Sequence, residues 1–453
     1  MLQATACGFG ALAFNGLFAS NSTDANPLAP KRPHHPAKAK RVIFLFMCGG
    51  PSQVDSFDHK PALDKWHNTK SGGAESPVYY QSPWDFTPHG QSGLMVSSLF
   101  PHIARHADDL CVINSMHTDH NAHPQAILQM NTGSFAFTRP SVGSWVVYGL
   151  GTENQNLPGF VSINPDFQGG GPLRHGSAFL PSACAGTPIG EGGGGNGAPP
   201  KSLKDIALPF LRNDRIDAVA QRHQLDLLQQ LNAQRLAHDG TNAALEGMMA
   251  SAELAFRMQS EMPPLLGIEG ESAATLASYG IGDGQPTDHF GRACLMARRF
   301  AESGVRFIQV NHAFWDDHKD IFENHPVHAR ETDQPIGALL ADLKARGLLE
   351  DTLVLWGGEF GRPPLYNKNN GRDHNNLGFT MWMAGGGAKP GLRYGSTGET
   401  GAQAEEGKVH LHDLHATLLH LLGLDHERLT FRYGGRDFRL TDVYGEVVKA
   451  VLA

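Results

Sequence analysis

Four side chains in the last third of the chain have the types and spacing of a metal site. Asp316 and His318 share one short stretch, Glu359 follows an apolar run, and His374 comes a short loop later. Carboxylates and imidazoles in this mixture hold divalent ions such as zinc, manganese or calcium. Such an ion polarises a phosphoryl or sulfuryl oxygen and acidifies a water or hydroxyl, which is the chemistry of ester hydrolysis. The same groups also suit a buried network of Asp, Glu, Arg and His that perturbs pKa values without metal or catalysis. Arg362 is open in the same way: it is either a bidentate partner for an anionic substrate or the neutralising partner of Glu359.

These residues need elements that deliver them to one place. The run Leu353–Trp356 stops at Gly357 and Gly358, with Glu359, Arg362, Asp373 and His374 beyond. An open α/β sheet presents polar groups in this way at the carboxyl ends of its strands. RFIQV (Arg306–Val310) ends in NHAFWDDHKD, and a helix over Asp333–Arg346 leads back to the strand at Leu353. This βαβ pattern brings Asp316, His318 and Glu359 to the same sheet edge. VIFLFM (Val42–Met47) reads as a buried parallel strand that turns at Gly49, Gly50 and Pro51, with Asp55 and Asp58 close behind. A second buried strand, Leu110–Met116, runs into His117, Asp119, His120 and His123, then a short helix over Ala126–Gly133. A strand end followed by a helix start is also where backbone N–H groups gather to hold an anion. Thr380–Gly387 is a further strand and Leu411–Leu424 an amphipathic helix.

At 453 residues and 40% hydrophobic, the chain can bury a large core. A net charge of −8 and a pI near 6.3 exclude nucleic acid as the main partner, since phosphate-backbone binding needs a basic surface. The five cysteines form no CxxC pair, which rules out a zinc ribbon or thioredoxin-type site and leaves room for one disulfide. Met1–Ala19 is small, apolar and without acidic residues, as in the apolar core of an export signal, although no basic segment precedes it. Residues 1–40 thus read as an export-signal remnant and a proline-rich disordered linker, and 41–453 as the folded domain with an insertion at about 151–284. That insertion carries a Gly/Pro-rich loop, Gly186–Pro200, and two amphipathic helices, Asp214–His238 and Ala243–Met262. Ile216, Val219, Leu225, Leu228 and Leu231 form the apolar face of the first helix. No run after the amino terminus is long and apolar enough to span a bilayer, so the mature chain is predicted to have no transmembrane span.

The order of motifs resembles the alkaline-phosphatase-like superfamily of alkaline phosphatases, sulfatases and phosphopentomutase. In particular, GGPSQVDSFDHKP, WDDH, GGEFGR, GRDH, AGGG and HDLHATLLHLLGLDH resemble a family of exported, sulfatase-like bacterial proteins that often carry twin-arginine (Tat) signals. The resemblance runs from about Arg41 to the carboxyl terminus. It implies an alkaline-phosphatase-like three-layer α/β sandwich around a mostly parallel sheet, located in the periplasm or cell envelope. GGEFGRPP…GRDH is similar to the ADHGNDP…GTDH of phosphopentomutase, which puts Glu359 at a metal-binding aspartate and His374 at a metal-binding histidine. QVNHAFWDDH resembles the strand and loop carrying an Asp and a His for the first metal, hence Asp316 and His318.

Other positions depart from the superfamily. Gly49 and Gly50 stand where phosphatases have an aspartate directly after the first strand, so Asp55 is the candidate to reach in from the turn. Phe360 replaces a metal-binding histidine. Where sulfatases write CTPSRAALLTG this chain writes HPQAILQMNTG, and His123 takes the nucleophile's slot. There it has three possible roles: covalent phosphoryl acceptor, general base or metal ligand. The implied activity is an exported metal-dependent hydrolase of phosphate or sulfate esters, acting on an anionic substrate such as a sulfated or phosphorylated polysaccharide. The missing Ser, Thr or Cys nucleophile supports the competing reading, a non-catalytic metal-binding or assembly protein of the cell envelope.

Overall fold

The apolar runs become the buried strands of one sheet, because each is flanked on both faces by helices that take its side chains out of water. In the computed structural model, residues 26–73, 75–166, 170–193, 200–204, 215–240 and 242–453 are described. The sheet contains nine strands: β1 Arg41–Met47, β2 Leu110–His117, β3 Phe160–Ile163, β4 Thr187–Ile189, β5 Phe307–His312, β6 Thr352–Gly357, β7 Phe379–Ala384, β8 Leu392–Tyr394 and β9 Val409–His410. Their order is β8-β2-β7-β6-β1-β5-β3-β4, with β9 also paired to β2. Every pairing is parallel except those of β7, which lies antiparallel between β2 and β6. The result is a mixed α/β sandwich around a mostly parallel sheet. Since β1, β2, β5 and β6 all point the same way, the loops after them open on one edge. Register brings Met47 opposite His312 and Phe46 opposite both Asn311 and Gly357, so three of these loops leave the sheet at one level.

The helices include α1 His123–Thr132, α2 Val142–Leu150, α3 Ala218–Asp239, α4 Ala243–Leu266, α5 Asp288–Glu302, α6 Ile321–Ala345 and α7 Leu411–Leu421. Helix α1 starts three residues earlier than its apolar pattern predicts. Pro124 fits its first turn, where no intrahelical N–H is needed, and His123 becomes its first residue. Helix α6 likewise begins well before Asp333 and holds Pro326 and Pro335 inside. Each proline removes a backbone hydrogen bond, but the buried stripe Ile321, His325, Ala329, Thr332, Ile336, Leu340 and Leu343 keeps the helical period throughout and offsets the loss.

Some expectations are corrected. Residues 26–40 are ordered against the domain: Leu28 is buried, Lys31 N–H donates to Leu150 O (2.8 Å), and His34 N–H donates to Gly423 O (2.8 Å). The expected loop 186–200 contains β4, whose Ile189 is buried beside β3; residues 194–199 of it, and the expected export signal in 1–19, lie outside the described residues. Helix α3 buries only Leu225 and leaves Val219, Leu228 and Leu231 exposed. Cys48, Cys111, Cys184 and Cys294 are free buried thiols, so none of these four forms a disulfide. Among the described residues no helix is long and apolar enough to cross a membrane.

Candidate metal centre

At the carboxyl edge of the sheet four side chains converge: His123 from the start of α1, Asp316 and His318 from the β5–α6 loop, and His374 from the loop between β6 and β7. One donor atom from each lies within 4.8 Å of the others. The centre of the group is Asp316 Oδ1. Four nitrogens surround it: Arg362 Nη2 at 2.8 Å, His123 Nε2 at 3.1 Å, His374 Nε2 at 3.1 Å and His318 Nε2 at 3.2 Å.

The β5–α6 loop is held from below. Trp315 N–H donates to Cys48 O (3.1 Å), and its indole N–H donates to His312 Nδ1 (3.0 Å). Asp317 pairs with buried His325, whose Nε2 accepts the Ser52 N–H at 3.0 Å. Gly49 is required where the loop passes over the β1 turn: its φ is +116°, and a Cβ there would stand 2.5 Å from Asp316 N. The glycine that replaces the expected aspartate therefore makes room for Asp316. Gly371 does the same for the other loop, since a Cβ there would meet His318 C at 2.2 Å.

Each of the three imidazoles has its far nitrogen occupied by an acceptor. His123 Nδ1 donates to Glu359 Oε1 (2.6 Å), His318 Nδ1 to Asp373 Oδ1 (3.0 Å), and His374 Nδ1 to Asn121 O (2.6 Å). A carbonyl or an ionised carboxylate only accepts, so each ring holds a proton on Nδ1, and in its neutral form each aims an Nε2 lone pair inward. His318 Nε2 and His374 Nε2 then face each other at 2.8 Å as two lone pairs. Buried His123 Nε2 makes no hydrogen bond, being out of line with Asp316. Charging all three rings does not resolve the contacts, because it would set three more donors on one carboxylate oxygen that already serves Arg362. The arrangement fits a cation among the four donors. Imidazoles with outer carboxylate or carbonyl partners are also the usual surroundings of a bound metal.

Charge in the site follows the same contacts. Burial works against a charged His123, but the nearby Asp316 and Glu359 carboxylates outweigh it and raise its pKa to about 9, so without an ion the ring carries a second proton on Nε2, the position a bound cation would take. Burial likewise opposes ionised Asp316, and the close ring nitrogens of His123 and His374 with the Arg362 charge overcome it, holding the carboxyl far below its usual range. Burial pushes His374 down.

The structure separates the residues singled out from the sequence. Asp316, His318 and His374 come together, and His123 joins them as a fourth donor. Glu359 stands one step back: it is fully buried, and besides His123 it accepts the Gly49 N–H at 3.0 and 3.2 Å. Asp55 does not reach the cluster, because its carboxylate is fully buried and taken by Arg372 Nε (2.9 Å) and Ser52 Oγ (2.5 Å). Arg362 is also fully buried. Its guanidinium donates to the carbonyls of Gly49, Gly50, Trp315 and Arg372 and to Asp316, so it has no face left for a substrate. No sequence pattern marks Asp373 or Asn121 as a partner of the imidazoles. The only sequence signal for Asp373 is its position beside His374, and the Asn121 contact is through the backbone.

None of the curated proteins compared matches the sequence. Among solved structures, the lipoteichoic acid synthase LtaP from Listeria monocytogenes is similar at a TM-score of 0.36 and 9% identity, over 93% of this chain and 80% of that one. The sulfatase PsFucS1 from Pseudoalteromonas sp. is similar at 0.34 and 15% identity, over 86% and 68%. The alkaline phosphatase from the Antarctic bacterium TAB5 is similar at 0.34 and 11% identity, over 86% and 99%. Likeness at this level says nothing of activity. A family model described as "Protein of unknown function (DUF1501)" matches residues 39–452, nearly the whole chain, and the protein belongs to that family.

Proposed function

We propose that the protein is an exported metal-dependent hydrolase of phosphate or sulfate esters whose ion is held by His123, Asp316, His318 and His374. The observation that supports this is the set of three inward Nε2 lone pairs around Asp316 Oδ1, each backed by an acceptor on the far ring nitrogen. Three imidazoles and one carboxylate suit zinc first and manganese or iron next; calcium, which prefers oxygen ligands, fits poorly. When bound, such an ion polarises an ester oxygen and lowers the pKa of a water.

The chain's own residues do the rest. Glu359 fixes the His123 ring and keeps its proton on Nδ1, and Asp373 does the same for His318. Arg362 locks the Gly49–Gly50 turn to the Trp315–Asp316 backbone and holds Asp316 ionised. With both nitrogens of His123 engaged in the site and no hydroxyl or thiol in its place, water rather than a side chain is the attacking group. Cys48 is no substitute, because burial and the nearby Glu359 charge raise its thiol pKa well above the ordinary value. The same lack of a nucleophile favours the second reading, a metal-binding envelope protein without turnover.

The test is metal content by mass spectrometry on protein purified without chelator or affinity nickel, followed by hydrolysis assays on sulfate and phosphate monoesters. One equivalent of metal, lost in His374→Ala, with turnover of either ester class supports the hydrolase. Metal without turnover selects the second reading, and no metal after incubation with zinc, manganese or iron refutes both. Export is tested separately, by whether residues 1–40 direct a folded reporter to the periplasm.

A further inference from the structure

A second pocket, of about 350 Å³, opens at the carboxyl ends of β3 and β5, and nothing in the metal-centre reading uses it. Its size and its position at strand ends are those of a small-molecule site. Asn164, His289, Phe290, His312, Phe314 and Glu331 line it, and among the described residues no lysine or arginine does. Its described lining therefore offers no lysine or arginine to receive a sulfate or phosphate.

Its polar atoms mostly accept. Asn164 is 2% exposed; its Nδ2 donates to His289 Nε2 (2.9 Å), which leaves its Oδ1 buried without a partner. Glu331 Oε2 lies 3.1 Å from His312 Nε2 and 3.7 Å from His328 Nδ1. Burial opposes ionised Glu331, and the hydrogen bonds and charges of these two rings outweigh it, bringing its carboxyl down to about 2. Burial holds His289 neutral, pulled down to about 4. Phe290 and Phe314 add aromatic rings, whose faces carry partial negative charge. Phe314 sits at φ +78°, a left-handed conformation that is unfavourable for a bulky residue, and it is partly exposed at the pocket. Backbone strain of this kind concentrates at ligand-holding positions.

We infer that this pocket binds a small molecule through a primary ammonium group, with the nitrogen between Glu331 and Asn164 Oδ1 and its carbon frame against Phe314. A primary ammonium supplies what the walls lack, a positive charge and several N–H donors. A quaternary amine would leave Asn164 Oδ1 unpaired. The inference is independent of catalysis at the metal centre, although Phe314 lies on the same loop as Asp316.

The experiment is isothermal titration of the full chain with two matched pairs of probes, n-butylamine against 1-butanol and glucosamine against glucose. At least one amine is expected to bind tenfold or more tightly than its neutral partner. Glu331→Gln should remove that difference, with the fold checked by thermal melting. Phe314→Gly should weaken amine binding while leaving the melting temperature unchanged or higher, because it relieves the left-handed backbone. His374→Ala should leave amine binding as it is. Equal binding of amine and neutral partner, binding of neither pair, an unchanged preference in Glu331→Gln, or loss of binding in His374→Ala would each overturn the proposal.

Discussion

Replacing Glu359 with glutamine tests whether the metal site depends on the orientation of one imidazole. The wild-type carboxylate accepts from His123 Nδ1 at 2.6 Å and from Gly49 N–H at 3.0 and 3.2 Å, and it is fully buried, so no water can take over either role. Glutamine keeps one acceptor oxygen. If that oxygen faces both donors, the amide nitrogen stands against the Gly49 N–H, a contact between two donors. If the amide turns, its N–H₂ meets His123 Nδ1, the ring proton moves to Nε2, and His123 stops being a ligand. In both cases the ring also loses the negative charge that makes Nε2 basic. Outer partners of metal-bound imidazoles contribute roughly 10–100-fold to metal affinity, or about 1.4–2.7 kcal/mol. The assay is zinc competition against a fluorescent chelator, with the zinc-dependent rise in melting temperature as a second readout. A dissociation constant within twofold of wild type, while His374→Ala abolishes binding, would refute the role given to Glu359. No zinc binding by the wild type would refute the centre itself.

Other positions test the structural roles. Asp55→Ala strands the fully buried Arg372 guanidinium, and breaking a buried pair costs about 3–5 kcal/mol; denaturant unfolding should show that loss with zinc stoichiometry unchanged, and loss of zinc from the folded variant would restore Asp55 as a ligand. Arg362→Lys cannot serve the four carbonyls that the guanidinium reaches, and each buried carbonyl left bare costs about 1–3 kcal/mol. The melting temperature should therefore fall sharply, whereas a raised KM for an anionic ester at unchanged stability would return Arg362 to substrate binding. His415, fully enclosed between α7 and α1, has a pKa pulled down to about 3 by burial, then by His412. Its folded pKa lies below the unfolded value of about 6.5, so the unfolded state binds the extra proton and stability falls with pH by about 1.4 kcal/mol per unit between about 6 and 4. Unfolding free energies across that range should flatten by this slope in His415→Gln, and an undiminished slope would assign the acid lability elsewhere.

The sheet edge was legible in the sequence because its strands are buried on both faces. Val42–Met47 and Leu353–Trp356 are unbroken apolar runs ending in glycine pairs, and they fall within β1 and β6. The extent of α6 was hidden by Pro326 and Pro335, which local rules place outside helices; only the packing of the whole buried stripe makes them acceptable. The three imidazoles of the cluster could be named from motifs, but their inner and outer partners could not. A sequence gives a residue's position on the chain and not which ring nitrogen it turns inward. Asp55 and Glu359 are both buried carboxylates near strand ends, and they differ in the partner each faces: Arg372 from the β6–β7 loop for one, His123 from the start of α1 for the other.

One substitution links these differences. With an aspartate after the first strand, as the superfamily resemblance leads one to expect, a side chain would occupy the space into which the Trp315–Asp316 backbone descends at Gly49. Glycine lets Asp316 sit directly over the β1 turn, where the Gly49 N–H anchors Glu359 and Glu359 in turn sets His123. The glycine at position 49 and the orientation of His123 are thus two ends of one chain of contacts. A Gly49→Asp change would therefore not restore a phosphatase-like ligand. At φ +116° and with Asp316 N at 2.5 Å from the new Cβ, it would push out the loop that carries Asp316 and His318 and dismantle the site it was meant to complete.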